Sequence, residues 1–242
     1  MAILARSLWI CSFLISFPAL YAQTRILHAH NDYEKSKPLL KALKNEIYSI
    51  EIDVFLKDER LIVSHIPFAL QLKPELENLY FPKIIDQLES SSQNLKIVFD
   101  IKSGKDSTCL QICRSLEKYL NPYAQRLSIL FSGNYGRFNP HLFPQWDIKL
   151  DGNLLQFIES GVIPIHTGRL SCSYKAWKKI QKKFPASYLK ERLEYADRNG
   201  IETRVWGAGN SKTTWLKLWE SGLNTLNVDR YKKARKFLLS HI

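Results

Sequence analysis

Short apolar runs alternate along the chain with stretches whose apolar residues recur at helical spacing. The runs Ile26–His30, Tyr48–Leu56, Leu95–Lys102, Leu127–Phe131, Trp146–Leu150, Val162–Ile165, Ile201–Trp206 and Thr225–Val228 predict eight strands. Helical patterns are predicted near 38–45, 83–90, 107–120, 174–183, 187–199 and 231–239, with Pro38 opening the first, where its missing amide proton does little harm. Lys57-Asp58-Glu59 turns the second strand back through Leu61–His65 as a short hairpin. Alternating strand and helix argues for a parallel sheet, and eight such units argue for closure into a (β/α)8 TIM-type barrel. An open doubly wound sheet is the rival, and the absence of a glycine-rich turn after the first strand counts against it.

The polar positions gather at the ends of these strands. Side chains alternate between faces along a strand, so Glu51 and Asp53 share one face while Ile50, Ile52 and Val54 pack on the other. Two neighbouring carboxylates repel unless a cation lies between them, which suggests a hard divalent metal. His28 and His30 also share a face, and His65 ends the hairpin. Taken singly, each of these residues has an ordinary alternative as a solvated strand face or a hydrogen-bonded histidine. Together they make up a catalytic metal site. Asp100 closes the third strand with Lys102 on its own face, an arrangement that serves a metal and a phosphate or a plain salt bridge equally well. Polar groups at the ends of strands one, two, three and seven would converge on one rim, where barrels place their chemistry.

The order His30, Glu51, Asp53, His65, with spacings of 21, 2 and 12, resembles the first half of a phosphodiesterase superfamily. That superfamily includes glycerophosphodiester phosphodiesterases, phosphatidylinositol-specific phospholipases C and spider-venom sphingomyelinases D. The wording His28-Ala29-His30-Asn31-Asp32-Tyr33, with Leu76-Glu77-Asn78-Leu79-Tyr80 later, is most similar to the branch named for "altered inheritance of mitochondria" proteins and their bacterial relatives. The resemblance implies a phospholipase-C-like phosphodiesterase barrel over residues 23–242, with His30 and His65 as the acid/base pair. It further implies Glu51, Asp53 and Asp100 as ligands of one divalent cation, Mg²⁺ or Ca²⁺, and Lys102 facing the substrate phosphate. Trp206 at the end of strand seven becomes a pocket wall, with Asn31 and His28 in substrate-binding or supporting places. Asp32 stands where glycerophosphodiesterases carry glycine, which puts glycerol-headed substrates in doubt. Tyr135, Arg137, Phe138, Lys149 and Arg169 are assigned to rim loops or strand five.

Composition changes the picture in three respects. With 45% apolar and 12% aromatic residues among 242, the chain can bury a full core as one domain. Residues 1–22 read as a signal peptide, with Arg6 before an apolar stretch and Ala22 before the cut, so an exported protein, periplasmic or secreted, is expected. Past that leader the net charge is +11, which favours anionic partners: phosphate esters, lipid headgroups at a membrane surface, or nucleic acid. No specific nucleic-acid module accompanies the basic residues. Cys109, Cys113 and Cys172 remain after the leader and are expected as free thiols in a monomer. The reaction expected is cleavage of a small-molecule or lipid phosphodiester, by hydrolysis or through a cyclic phosphate. Its rivals are an inactive barrel that binds anionic lipid or polyanion, and a carbohydrate-active barrel using Glu51 and Asp53 as acid and base.

Overall fold

The computed structural model describes residues 25–241. The leader predicted at residues 1–22 lies outside them. In chain order the elements are β1 (Ile26–Ala29), α1 (Leu40–Leu43), β2 (Ser49–Lys57), β3 (Arg60–Val63), α2 (Leu76–Ser90), β4 (Leu95–Ile101), α3 (Asp106–Leu120) and β5 (Leu127–Gly133). There follow β6 (Asp147–Asn153), α4 (Leu154–Ser160), β7 (Thr167–Ser173), α5 (Tyr174–Lys183), α6 (Ala186–Arg198), β8 (Glu202–Trp206), α7 (Lys212–Glu220), β9 (Thr225–Val228) and α8 (Tyr231–Leu239).

Eight parallel strands close on themselves because β1 pairs with β9 on one side and β2 on the other, giving the predicted barrel. The ninth strand, β3, is the return arm of the predicted hairpin and pairs antiparallel with β2 outside the ring. Register decides what fills the interior. Ser49, Glu51 and Asp53 stand beside Lys96, Val98 and Asp100, so each level of β2 meets its counterpart on β4 on the same face. The opposite faces of these strands bury Ile50, Ile52, Val54, Ile97, Phe99 and Ile101 in the main core.

The interior is therefore more polar than the branched-aliphatic filling usual in such barrels. Buried charges survive only when paired, and here they are. Arg204 contacts Glu51 at 2.6 Å, Arg169 contacts Asp151 at 2.6 Å, and Lys96 pairs with Glu202.

Three expectations are corrected. Val162–Ile165 is an exposed loop, and the strand assigned to it begins later, at Thr167. That strand reads Thr-Gly-Arg-Leu-Ser-Cys-Ser, and its inward Arg169 and Ser171 answer Asp151 on β6, so its polar positions hide it from an apolar search. Arg169 consequently sits inside the barrel, fully buried, and not on a rim loop or strand five. Helix α2 begins seven residues before its predicted start, at Leu76. The short helices α4 and α7 were not anticipated. Cys109, Cys113 and Cys172 are free and buried. Among the described residues no helix is long and apolar enough to cross a membrane.

Candidate active site

The C-terminal strand ends surround a cavity of about 360 Å³. A second cavity of about 340 Å³ lies at the opposite end, where Arg25, Tyr48 and Leu95 open their strands around Lys96 and Glu202. Most of the residues singled out from the sequence line the first, while Asp53 and His28 are buried behind its wall. His30, Asn31, Glu51, His65, Asp100, Lys102 and Trp206 all line it.

His30 follows β1, and its Nδ1–H donates to Asp229 Oδ1 at 3.0 Å, leaving Nε2 as the nitrogen open to proton exchange, 4.0 Å from Glu51 Oε1. Burial opposes charge on His30, but the bond to Asp229 and the Glu51 carboxylate outweigh it, so its pKa is raised. Asp229 is held low chiefly by the same bond, with Asn210 donating to its other oxygen. His65 enters from the hairpin, where its Nδ1–H donates to Asp53 Oδ2 at 2.9 Å. Both imidazoles are thus oriented through Nδ1 by a carboxylate, the arrangement a positioned acid or base requires.

Between them lie Glu51, Asp53 and Asp100, whose ligand oxygens fall within 4.8 Å of one another. Each is also held by cations of the chain. Lys102 contacts Asp53 at 2.9 Å and donates to Asp100, while Ser132 donates to Asp100 at 3.1 Å. Burial raises the pKa of Asp53 despite Lys102, and raises the cost of its charge. Its Oδ1 is buried without a hydrogen-bond partner. A buried carboxylate oxygen with no donor, beside two more carboxylates and no sulfur, fits a hard divalent cation. For Glu51, burial is outweighed first by Arg204 and then by His28, so its carboxyl is held well below the usual range and remains ionised.

His28 takes a supporting place. It is fully buried behind Glu51 and off the cavity wall, its Nε2–H donating to Glu51 at 3.1 Å while its Nδ1 accepts from Ser49 at 2.7 Å. Burial pushes its pKa down to about 3, so the ring is neutral and serves to orient Glu51. Asn31 takes a left-handed φ of 45°, which asparagine tolerates, and turns the chain from β1 into the rim. Asp32, the departure from glycine, is an anchor. It accepts from the Leu39 backbone at 2.5 Å, Tyr80 at 3.1 Å and Tyr231 at 2.9 Å, fixing the loop behind His30.

Ser132, Gly133, Asp151, Ser171 and Arg204 also line the cavity and were not assigned to it from the sequence. Asp229 also bears on the site, and its one sequence signal is a carboxylate just past the end of the last barrel strand, on the same rim as His30.

Residues 22–115 match the family model described as the AIM6-like phosphodiesterase domain. Similar proteins include "Altered inheritance of mitochondria protein 6" of Eremothecium gossypii, 24% identical over 88% of this chain and 69% of that protein. The protein of that name from Kluyveromyces lactis is 26% identical over 45% of this chain, and the match spans only 38% of its own length. Among solved structures, a glycerophosphodiester phosphodiesterase from Parabacteroides distasonis superposes with a TM-score of 0.66 at 17% identity, covering 90% of this chain and 98% of its own. A phosphodiesterase from Oleispira antarctica, solved with the product sn-glycerol-3-phosphate, gives 0.59 at 17% identity, with 89% and 97% covered. The resemblance to the phosphodiesterase superfamily and to its altered-inheritance-of-mitochondria branch is borne out, as is the barrel.

Proposed function

We propose that this chain is a phosphoric diester hydrolase that cleaves a glycerophosphodiester or a phospholipid headgroup by two-histidine acid/base catalysis beside a divalent cation. The observation that carries the proposal is the pair His30 and His65. Each is fixed through Nδ1 by a carboxylate, and both open onto one cavity lined by Glu51 and Asp100, with Asp53 buried in the same acidic cluster. The match to a phosphodiesterase domain and the shared fold support the same class of reaction.

Glu51, Asp53 and Asp100 would hold the ion, Mg²⁺ or Ca²⁺, which when bound offsets charge on the phosphoryl oxygens and orients the ester. The residues of the chain do the rest. One histidine removes a proton from the attacking hydroxyl while the other gives one to the leaving oxygen. Attack by water yields ordinary hydrolysis, and attack by a neighbouring substrate hydroxyl yields a cyclic phosphate. Lys102 is kept cationic by Asp100 and Asp53 against the pull of burial and stands where negative charge grows in the transition state. Asp229 holds His30 in one tautomer. Trp206, about half exposed, supplies a flat apolar wall for the alcohol moiety. The composition of residues 1–22 supports export, which N-terminal sequencing of protein recovered outside the cytoplasm would test.

The deciding experiment is a screen of glycerophosphodiesters, lysophospholipids and inositol lipids with Mg²⁺, with Ca²⁺ and with chelator. Turnover is expected with metal and not with chelator. His30→Ala and His65→Ala are each expected to lower kcat by about 10²–10⁴-fold while leaving the circular dichroism spectrum unchanged. Wild-type rates in either variant, or activity that survives chelation, would overturn the reading.

A further inference from the structure

The chain between β3 and α2 leaves the cavity through His65 and then brings Ile66, Phe68 and Leu72 to the surface, 52%, 75% and 81% exposed. The excursion is anchored at both ends. Ser64 donates its backbone N–H to the Asp53 carbonyl oxygen at 3.2 Å, and Val63 donates to the Pro74 carbonyl oxygen at 2.9 Å, so residues 64–73 stand out as a closed loop on the rim of the candidate site. Burying such side chains against hydrocarbon would gain roughly 25 cal/mol for each Å² removed from water, and clustered exposure of this kind marks a contact surface. Trp206, at the end of β8, is also exposed at this mouth.

The rim carries charges of both signs, with Glu34, Asp58 and Glu59 on its exposed connections and Asp106 opening α3. Its basic residues Lys37, Lys73, Lys105 and Arg137, with Lys212 opening α7, form no ion pair among the described residues. An apolar tip that carries Lys73, on a rim with further unpaired cations, matches the layering of an anionic bilayer, where phosphates lie outside hydrocarbon. The net charge of +12 strengthens that attraction.

We propose that the loop of residues 64–73 docks the protein on an anionic phospholipid surface. Ile66, Phe68 and Leu72 enter the apolar layer, the basic residues of the rim meet headgroup phosphates, and a lipid phosphodiester is delivered to the cavity. This rests on the phosphodiesterase reading and deepens it by making membrane lipid the substrate class.

The test is sedimentation of the full chain with vesicles of phosphatidylcholine and phosphatidylglycerol in equal parts, and with phosphatidylcholine alone. Partition onto the mixed vesicles is expected, weakening on neutral vesicles and in high salt. Phe68→Ser/Leu72→Ser is expected to lower the partition coefficient by about tenfold or more, because two large side chains no longer insert. The same variant should keep wild-type turnover of a soluble glycerophosphodiester, which reports that it is folded. Val162→Ser/Ile165→Ser, exposed apolar positions in the loop before β7 begins, should leave partition unchanged. An unaltered partition in Phe68→Ser/Leu72→Ser, equal partition onto neutral vesicles, or loss in Val162→Ser/Ile165→Ser would overturn the proposal. Vesicle binding does not depend on turnover. A protein that binds as expected but cleaves no phosphodiester would refute the catalytic reading and support the docking surface.

Discussion

His30 owes its state to a residue 199 positions away. Replacing Asp229 by Asn removes the carboxylate that raises the pKa of His30 while preserving shape, so the limb of the pH–rate profile set by His30 should move to lower pH. Turnover should fall by about tenfold or more as the imidazole loses its fixed tautomer. A profile superimposable on that of the wild type would remove Asp229 from this role. His28 makes a different prediction. Its folded-state pKa is pushed down to about 3 against an ordinary 6.5, so below pH 6.5 the unfolded chain takes up a proton that the folded chain refuses. The stability present above pH 6.5 is therefore lost as pH falls toward 3, by about 2 kcal/mol at pH 5. Urea midpoints at pH 7 and pH 5 measure this, and His28→Asn should show a visibly smaller drop. At this scale the sequence was informative where chemistry sat at strand ends, as with His30, His65 and the three carboxylates. It said little about pairings such as His30 with Asp229 or Arg204 with Glu51, because nothing local marks which distant strand faces which.

Among elements, the end of β5 is tightly constrained. Gly133 has a φ of 70°, and a Cβ there would lie 2.2 Å from Asp100 Oδ1 and 2.8 Å from the Ile101 carbonyl oxygen. Gly133→Ala should cost about 1–3 kcal/mol through the strained backbone alone and should also displace Asp100, weakening divalent-cation affinity more than it weakens folding. Calorimetric titration with Mg²⁺ or Ca²⁺ beside a thermal melt separates the two effects, and unchanged affinity would show that Asp100 is dispensable to the ion. Seven of the eight barrel strands were legible because their outward faces are continuous runs of branched and aromatic residues, as in β2 and β4. β7 was not. Its Arg169 and Ser171 are matched to Asp151 inside the ring, so it carries polar residues for a reason visible only once its neighbour is known. The exposed Val162 and Ile165 just before it gave a false apolar signal.

For the molecule as a whole, a cation held by the clustered carboxylates, as proposed, would couple its binding to folding. Lys102 compensates only part of the three acidic charges, so such a cation would favour the native state over an unfolded chain that binds it poorly. At about a hundredfold excess over Kd the gain is about 2.7 kcal/mol, or roughly 2–4 °C in Tm for each kcal/mol in a chain of this size. Differential scanning fluorimetry with and without chelator should show that shift in the wild type and lose it in Asp53→Asn. An equal shift in both would place the ion elsewhere. The barrel itself was legible from alternation alone, since eight strand and helix units leave few other ways to cover both faces of a parallel sheet. Its polar filling was not, because register is a property of strand pairs.

His65 lies two residues past β3, the strand that pairs outside the closed ring, while His30 directly follows β1 within it. The two imidazoles of the proposed acid/base pair thus hang from different kinds of support. Changes of length in the exposed loop after His65 would therefore reach one imidazole and leave the other, seated on the closed ring, in place.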